Sequence, residues 1–286
     1  MHKQLYIKEK ARWLAERQRI KLYHRNKRLI FCINSGRCGS QFLASLLGSC
    51  ANVTASHESM PFMTHDIIDL VNTKDYHQTF WARSFKAGFI RRSLSNLPAR
   101  AIHCETSQMF IKTFFDIAIC AFPGQVEVII LRRYLPAVLK SYLELDYFNI
   151  SRDSFRWMTS PNAITRAITC IDQDAKLDTV DLIISYLIDI EARAQRFIQN
   201  YSSIKTYQVS LEDISQPLGS QLLLHNLSLE PTSQTELILS HGKANARSSS
   251  KIIDVDINYC KERIFEYIEK AKSRGIKVPD SLFFSN

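Results

Sequence analysis

The chain has 286 residues, 45% of them hydrophobic and 23% charged. That make-up belongs to a globular protein with a sizeable core and excludes a disordered or collagen-like chain. A formal net charge of +9 points to anionic partners. The seven cysteines are odd in number and none stands in Cys-x-x-Cys spacing, which argues against a zinc site or an obligate disulfide framework and fits a reducing compartment. No apolar run reaches the about 18 residues of a membrane span, and the N-terminus lacks an apolar signal core, so a soluble, cytoplasmic protein is expected. With only 8 Gly and 8 Pro, no linker and no repeat period, residues 29–286 read as one domain.

Residues 1–28 form a basic arm in which Lys3, Lys8, Lys10, Arg12 and Arg17 interleave with Leu5, Ile7, Trp13 and Leu14. The pattern reads as a basic amphipathic helix packed on the domain, with contact to an anionic membrane, an acidic glycan or nucleic acid as the alternatives. A β-leaning run, 29–34, then ends in Ser35-Gly36-Arg37-Cys38-Gly39-Ser40-Gln41, and helical spacing of Phe42, Leu43, Leu46 and Leu47 comes directly after it. Strand, glycine-containing loop and helix in that order build an anion cradle from backbone N–H groups and a helix N-terminus. Arg37 adds a charge that can fork onto phosphate or sulfate oxygens. The loop is not a nucleotide triphosphate loop, because position 41 carries Gln and no Lys stands after a second glycine at the required spacing.

A short strand over 52–56 leads to His57 and Glu58, candidates for a general base. Residues 62–97 read as helices and loops around a substrate mouth, with Arg83, Arg91 and Arg92 forming a solvated basic face or meeting an acidic acceptor. A strand over 101–105 ends at Glu105, which either meets the acceptor or belongs to the cap cluster of a helix from 108 to 120. The run 126–133 reads as a buried parallel strand ending in Arg132 and Arg133, and Pro136 suits the first turn of the next helix. A long amphipathic helix over 179–200, a strand over 204–209, and helices near 213–226 and 256–274 complete the chain. Strands alternating with helices imply an α/β fold with a central parallel sheet flanked by helices, whose ligands bind outside the C-terminal strand edges.

The Gly-Arg-Cys-Gly-Ser loop, together with a strand-end Arg133 and a helix-borne Ser141 eight residues later, resembles the two phosphate motifs of the P-loop sulfotransferases. The resemblance implies a three-layer P-loop-type fold and 3′-phosphoadenosine 5′-phosphosulfate as donor, leaving as 3′,5′-adenosine bisphosphate. It implies that residues 35–41 hold the 5′-phosphosulfate, that Arg133 and Ser141 hold the 3′-phosphate, and that no metal is needed. Pro136 falls one residue later than the family pattern, which leaves the choice between Arg132 and Arg133 open. The polar loop from His241 to Lys251 stands where the family closes its cofactor site, which makes Arg247 and Lys251 candidate contacts. Glu212 and Asp213 match an acidic pair of the family, and both also suit a helix N-terminus. The resemblance places the base at the end of the second strand, at Glu58 in preference to His57, with Arg37 steadying charge on the leaving oxygen.

The expected reaction is therefore sulfuryl transfer to a hydroxyl or amine of a carbohydrate, lipid-like or other small acceptor, with no obligate nucleic acid. A kinase-like P-loop enzyme and a basic nucleic-acid- or membrane-binding protein are the competing readings.

Overall fold

The computed structural model describes residues 27–98, 100–241 and 252–282. Five strands form one parallel sheet in the order β2-β3-β1-β4-β5: β1 (Arg28–Ile33), β2 (Val53–Ser56), β3 (Ile102–Glu105), β4 (Val126–Arg132) and β5 (Thr206–Ser210). The central strands carry the apolar runs. All seven residues of β4 are buried, as are the last five of β1, because helices cover both faces of a parallel sheet.

The first helix, α1 (Ser40–Gly48), packs beside β2 and β3. The segment between β2 and β3 holds α2 (Asp66–Thr73), α3 (Tyr76–Arg83) and α4 (Phe85–Ser95). The helix expected over 108–120 begins instead as a π turn, Phe110–Phe114, and becomes α5 (Phe115–Ala121). The helix α6 (Leu135–Glu144) has Pro136 in its first turn, as expected. The long helix α7 (Thr179–Asn200) matches its expected bounds and is capped by the Asp178 side chain, which accepts from the Asp181 N–H at 2.7 Å. The expected 213–226 helix is two, α8 (Leu211–Ile214) and α9 (Pro217–Asn226), because Pro217 starts a new helix. The helices α10 (Ser233–His241) and α11 (Ile257–Ser273) come last. In the layer formed by the π turn, α6, α7 and α11, the Phe110 ring stacks on Phe31 of β1 with centroids 4.8 Å apart. The basic arm lies outside the described residues except for Lys27 and Arg28. Arg28 forks onto Glu127 at 2.6 and 2.8 Å, tying the start of β1 to β4.

Candidate anion and proton-transfer site

The parallel strands end at one edge, and the two anion motifs meet there. The loop after β1 has left-handed backbone at Gly36 (φ 83°), Arg37 (φ 57°) and Gly39 (φ 82°). Glycine is required at two of these by space as well as by φ. A Cβ on Gly36 would lie 2.3 Å from Tyr142 Oη, and one on Gly39 would lie 2.4 Å from Leu211 Cδ1. Gly39 caps α1 without a side-chain bond, which leaves the first-turn N–H groups of Ser40 and Gln41 open to a ligand. Asn34 braces the turn: its Oδ1 accepts from the Gly36 N–H at 2.9 Å and its Nδ2 donates to Thr106 O at 3.2 Å. The Ser35 hydroxyl and the buried Cys38 thiol lie 3.1 Å apart, so these two side chains serve the loop itself.

Arg37 Nε donates to Ser141 Oγ on α6 at 3.1 Å, and its guanidinium lies over the Tyr147 ring. Arg133 Nη1 donates to the Arg37 carbonyl at 3.0 Å. Loop arginine, strand-end arginine and helix serine therefore form one cluster, and among the described residues neither Arg37 nor Arg133 has a carboxylate partner. Arg132 is different. It is buried and forks onto Glu191 at 2.7–3.1 Å and Gln208 at 2.8 Å. Arg132 ends β4 and Arg133 follows it, and their partners differ: Arg132 belongs to the packing of α7 on the sheet and Arg133 to the loop.

The base candidates stand just past β2. His57 Nδ1 lies 3.3 Å from Thr106 Oγ1, whose own hydrogen is donated to Ser40 O at 2.8 Å. His57 therefore donates through Nδ1, which leaves Nε2 with a lone pair. Glu58 Oε1 stands 3.9 Å from that nitrogen. Burial pushes the His57 imidazole below the usual histidine range; Glu58 opposes this and the Arg37 charge adds to it.

Glu105 does not reach the surface. It is 1% exposed and receives Lys86 Nζ at 2.7 Å, which also donates to Ser59 O at 2.9 Å. Burial raises the Glu105 carboxyl and Lys86 opposes the rise. The pair holds the turn that carries His57 and Glu58 in place from beneath. The basic face expected over 83–92 is likewise largely internal. Arg83 is fully buried and forked onto Asp116 at 2.7 Å, and Lys86 and Arg91 are buried as well. Glu212 accepts from the Tyr134 N–H at 3.2 Å, and Asp213 pairs with the N-cap Ser210, so both serve helix starts. Arg247 and Lys251 lie outside the described residues.

Sequence patterning missed the support beneath the loop. Tyr142 and Tyr186 both donate to Ser35 O. Lys112, wholly buried in the π turn, donates to Tyr186 Oη at 3.1 Å, Gln108 Oε1 at 3.2 Å and Trp157 O at 2.8 Å. These three acceptors are neutral, and burial pushes the Lys112 amine down to about 7, with Glu58 opposing the shift and Arg193 adding to it.

The five-stranded parallel sheet flanked by helices, with a glycine-containing loop after β1, defines an α/β protein. Comparison with solved structures narrows this to the sulfotransferase-type fold. The chain matches the sulfotransferase domain of the Synechococcus PCC 7002 olefin synthase with a TM-score of 0.51 and 15% identity, covering 89% of this chain and 96% of that one. A sulfotransferase domain from the curacin biosynthetic pathway gives 0.49 and 13% over 90% and 94%. A sulfotransferase from Alicyclobacillus acidocaldarius gives 0.45 and 10% over 86% and 94%. No family model and no curated protein matches the sequence.

Proposed function

We propose that the protein is a sulfotransferase that takes a sulfuryl group from 3′-phosphoadenosine 5′-phosphosulfate to a hydroxyl or amine of a small acceptor, carbohydrate or lipid-like. The observation that carries this is the cluster of Arg37, Arg133 and Ser141 on an open helix N-terminus: two guanidiniums with no carboxylate partner among the described residues, where two anionic groups of one nucleotide would be held. Support for the nucleotide comes from the start of α1, where Gly39 offers no side-chain cap and the first-turn N–H groups of Ser40 and Gln41 are left for an anion.

When bound, the donor supplies the sulfuryl group and an anionic leaving group. The 35–41 loop and the start of α1 hold the 5′ end, and Arg133 and Ser141 hold the 3′-phosphate. Arg37, now on Ser141, is within the loop that faces the leaving oxygen and stabilises its charge. The proton of the acceptor goes to the 57–58 pair: His57 Nε2 carries the lone pair, and Glu58 at 3.9 Å stabilises the imidazolium that forms. The family resemblance favours Glu58 for the proton itself; the Thr106 contact favours His57.

Thermal unfolding with 3′,5′-adenosine bisphosphate, beside AMP and ATP, tests the reading. At about a hundred times its Kd a specific ligand adds ~2.7 kcal/mol of stability, a shift of several degrees. A rise with the bisphosphate alone supports the donor site. An equal rise with ATP favours a kinase-like enzyme, and no rise overturns the proposal. Membrane or glycan contact through the arm at 1–28 is a separate proposal, and salt-dependent vesicle binding lost on removing the arm would test it.

A further inference from the structure

A second cavity lies away from the strand edge, in the groove between the π turn with α5 and the last turns of α7. It has a volume of about 300 Å³, at the lower end of small-molecule sites. None of the loop, strand-end or base residues lines it. Its walls hold the rings of Tyr76, Phe115, Phe197 and Tyr201. Phe115 meets Tyr76 edge-on at 5.1 Å and Tyr201 edge-on at 6.0 Å, so the rings stand at angles around the space and do not fill it by stacking.

The rim is cationic. Arg166, Arg193 and Arg196 line the cavity. Arg193 is matched by Asp189 at 2.6 Å. Arg166 and Arg196 donate only to backbone carbonyls, those of Ala163 at 3.1 Å and Ala167 at 2.6 Å, and among the described residues they have no carboxylate partner. The single carboxylate among the described lining residues, Asp75, is engaged as a helix cap by the Gln78 N–H at 2.8 Å. An aromatic pocket closed by two uncompensated guanidiniums has the chemistry of a site for an amphipathic anion.

We infer that this groove binds a small aromatic monoanion, a ring body carrying one carboxylate or sulfonate-type head, with the ring among Tyr76, Phe115, Phe197 and Tyr201 and the head on Arg166 and Arg196. The site is independent of the nucleotide reading, since the two share no residue.

Titration calorimetry with 2-naphthoate on the full chain tests it, in the presence of saturating 3′,5′-adenosine bisphosphate. The expected result is one site, weakened about ten-fold or more by Arg196→Ala. Asn200→Trp, at an exposed lining position, should abolish binding by filling the space while leaving the melting temperature in place. Naphthalene-2-methanol, the neutral counterpart, should bind at least about ten-fold more weakly than the carboxylate. Absence of binding overturns the inference. So does binding unchanged in both variants, or equal binding of the neutral alcohol.

Discussion

Arg133 donates through Nη1 to the carbonyl oxygen of Arg37, 3.0 Å away, and so reads the backbone of a residue held at φ 57°. The strand-end cation thus fixes the conformation of the loop cation. Arg132, one position earlier, is committed to Glu191 and Gln208.

The two neighbours should therefore fail differently. Arg133→Ala is expected to weaken 3′,5′-adenosine bisphosphate by roughly 1.5–3 kcal/mol, about ten- to hundred-fold in Kd, with little change in melting temperature. Arg132→Ala leaves the partly buried Glu191 carboxylate without its cation, with the Ser281 hydroxyl still donating to it, and should lower the melting temperature by more than Arg133→Ala does. Calorimetry and thermal unfolding on both variants check this; equal losses of nucleotide affinity would remove the distinction.

Proton transfer separates from donor binding. His57→Gln and Glu58→Gln should each lower turnover, by on the order of 10²–10⁴-fold for the residue that takes the proton, and leave bisphosphate affinity nearly unchanged. Because His57 titrates below the usual histidine range, it stays neutral to lower pH than a free imidazole. The acid limb of kcat/KM should fall below the ordinary value of about 6.5 and vanish in His57→Gln if His57 is the base. An unaltered acid limb in that variant returns the role to Glu58.

Gly36→Ala tests the close approach in the loop. The new methyl meets Tyr142 Oη and Gln108 Oε1 at 2.3 and 2.7 Å and must also hold a positive φ. A loss of about 1–3 kcal/mol in stability and a larger loss of nucleotide affinity are expected. Wild-type affinity in a folded Gly36→Ala protein would show that the loop backbone is not a ligand contact.

Lys112 should make stability depend on pH in a defined window. Its amine sits at about 7 in the folded protein, against about 10.4 in an unfolded chain. Between these values the unfolded state binds more protons, so stability rises with pH from about 7 toward 10 and is lowest below 7. Lys112→Met should remove that rise, leaving a flat profile across the window. Parallel melting curves of the two proteins decide the matter.

The sheet and the glycine turn after β1 were legible because their signals are local. A buried strand, a glycine turn and the spacing of Phe42, Leu43, Leu46 and Leu47 sit within one stretch of chain. The strand-then-helix order that carries Arg133 and Ser141 is local too, and only the structure shows Arg132 turned to Glu191 and Arg133 to the Arg37 carbonyl. Patterning did not give the pairings between distant residues. Arg83 looks like a surface cation until Asp116, in another helix, is placed against it. Glu105 looks like a strand-end acid until Lys86 arrives from α4. Lys112, Tyr142 and Tyr186 are ordinary members of helical patterns, and their convergence beneath Ser35 is a property of packing.

The π turn at Phe110–Phe114 sets a limit on how this stretch can vary. A π turn holds one residue more than the α-helical turn it replaces. Losing a single residue there would restore regular α geometry and would improve the helix locally. It would also rotate the N-terminal side of the turn by about 100° relative to α5, one residue's share of a 3.6-residue turn. The Lys112 amine would no longer meet Tyr186, or Phe110 would leave Phe31. The spare residue thus acts as a spacer, and chain length in this segment is constrained as tightly as side-chain identity.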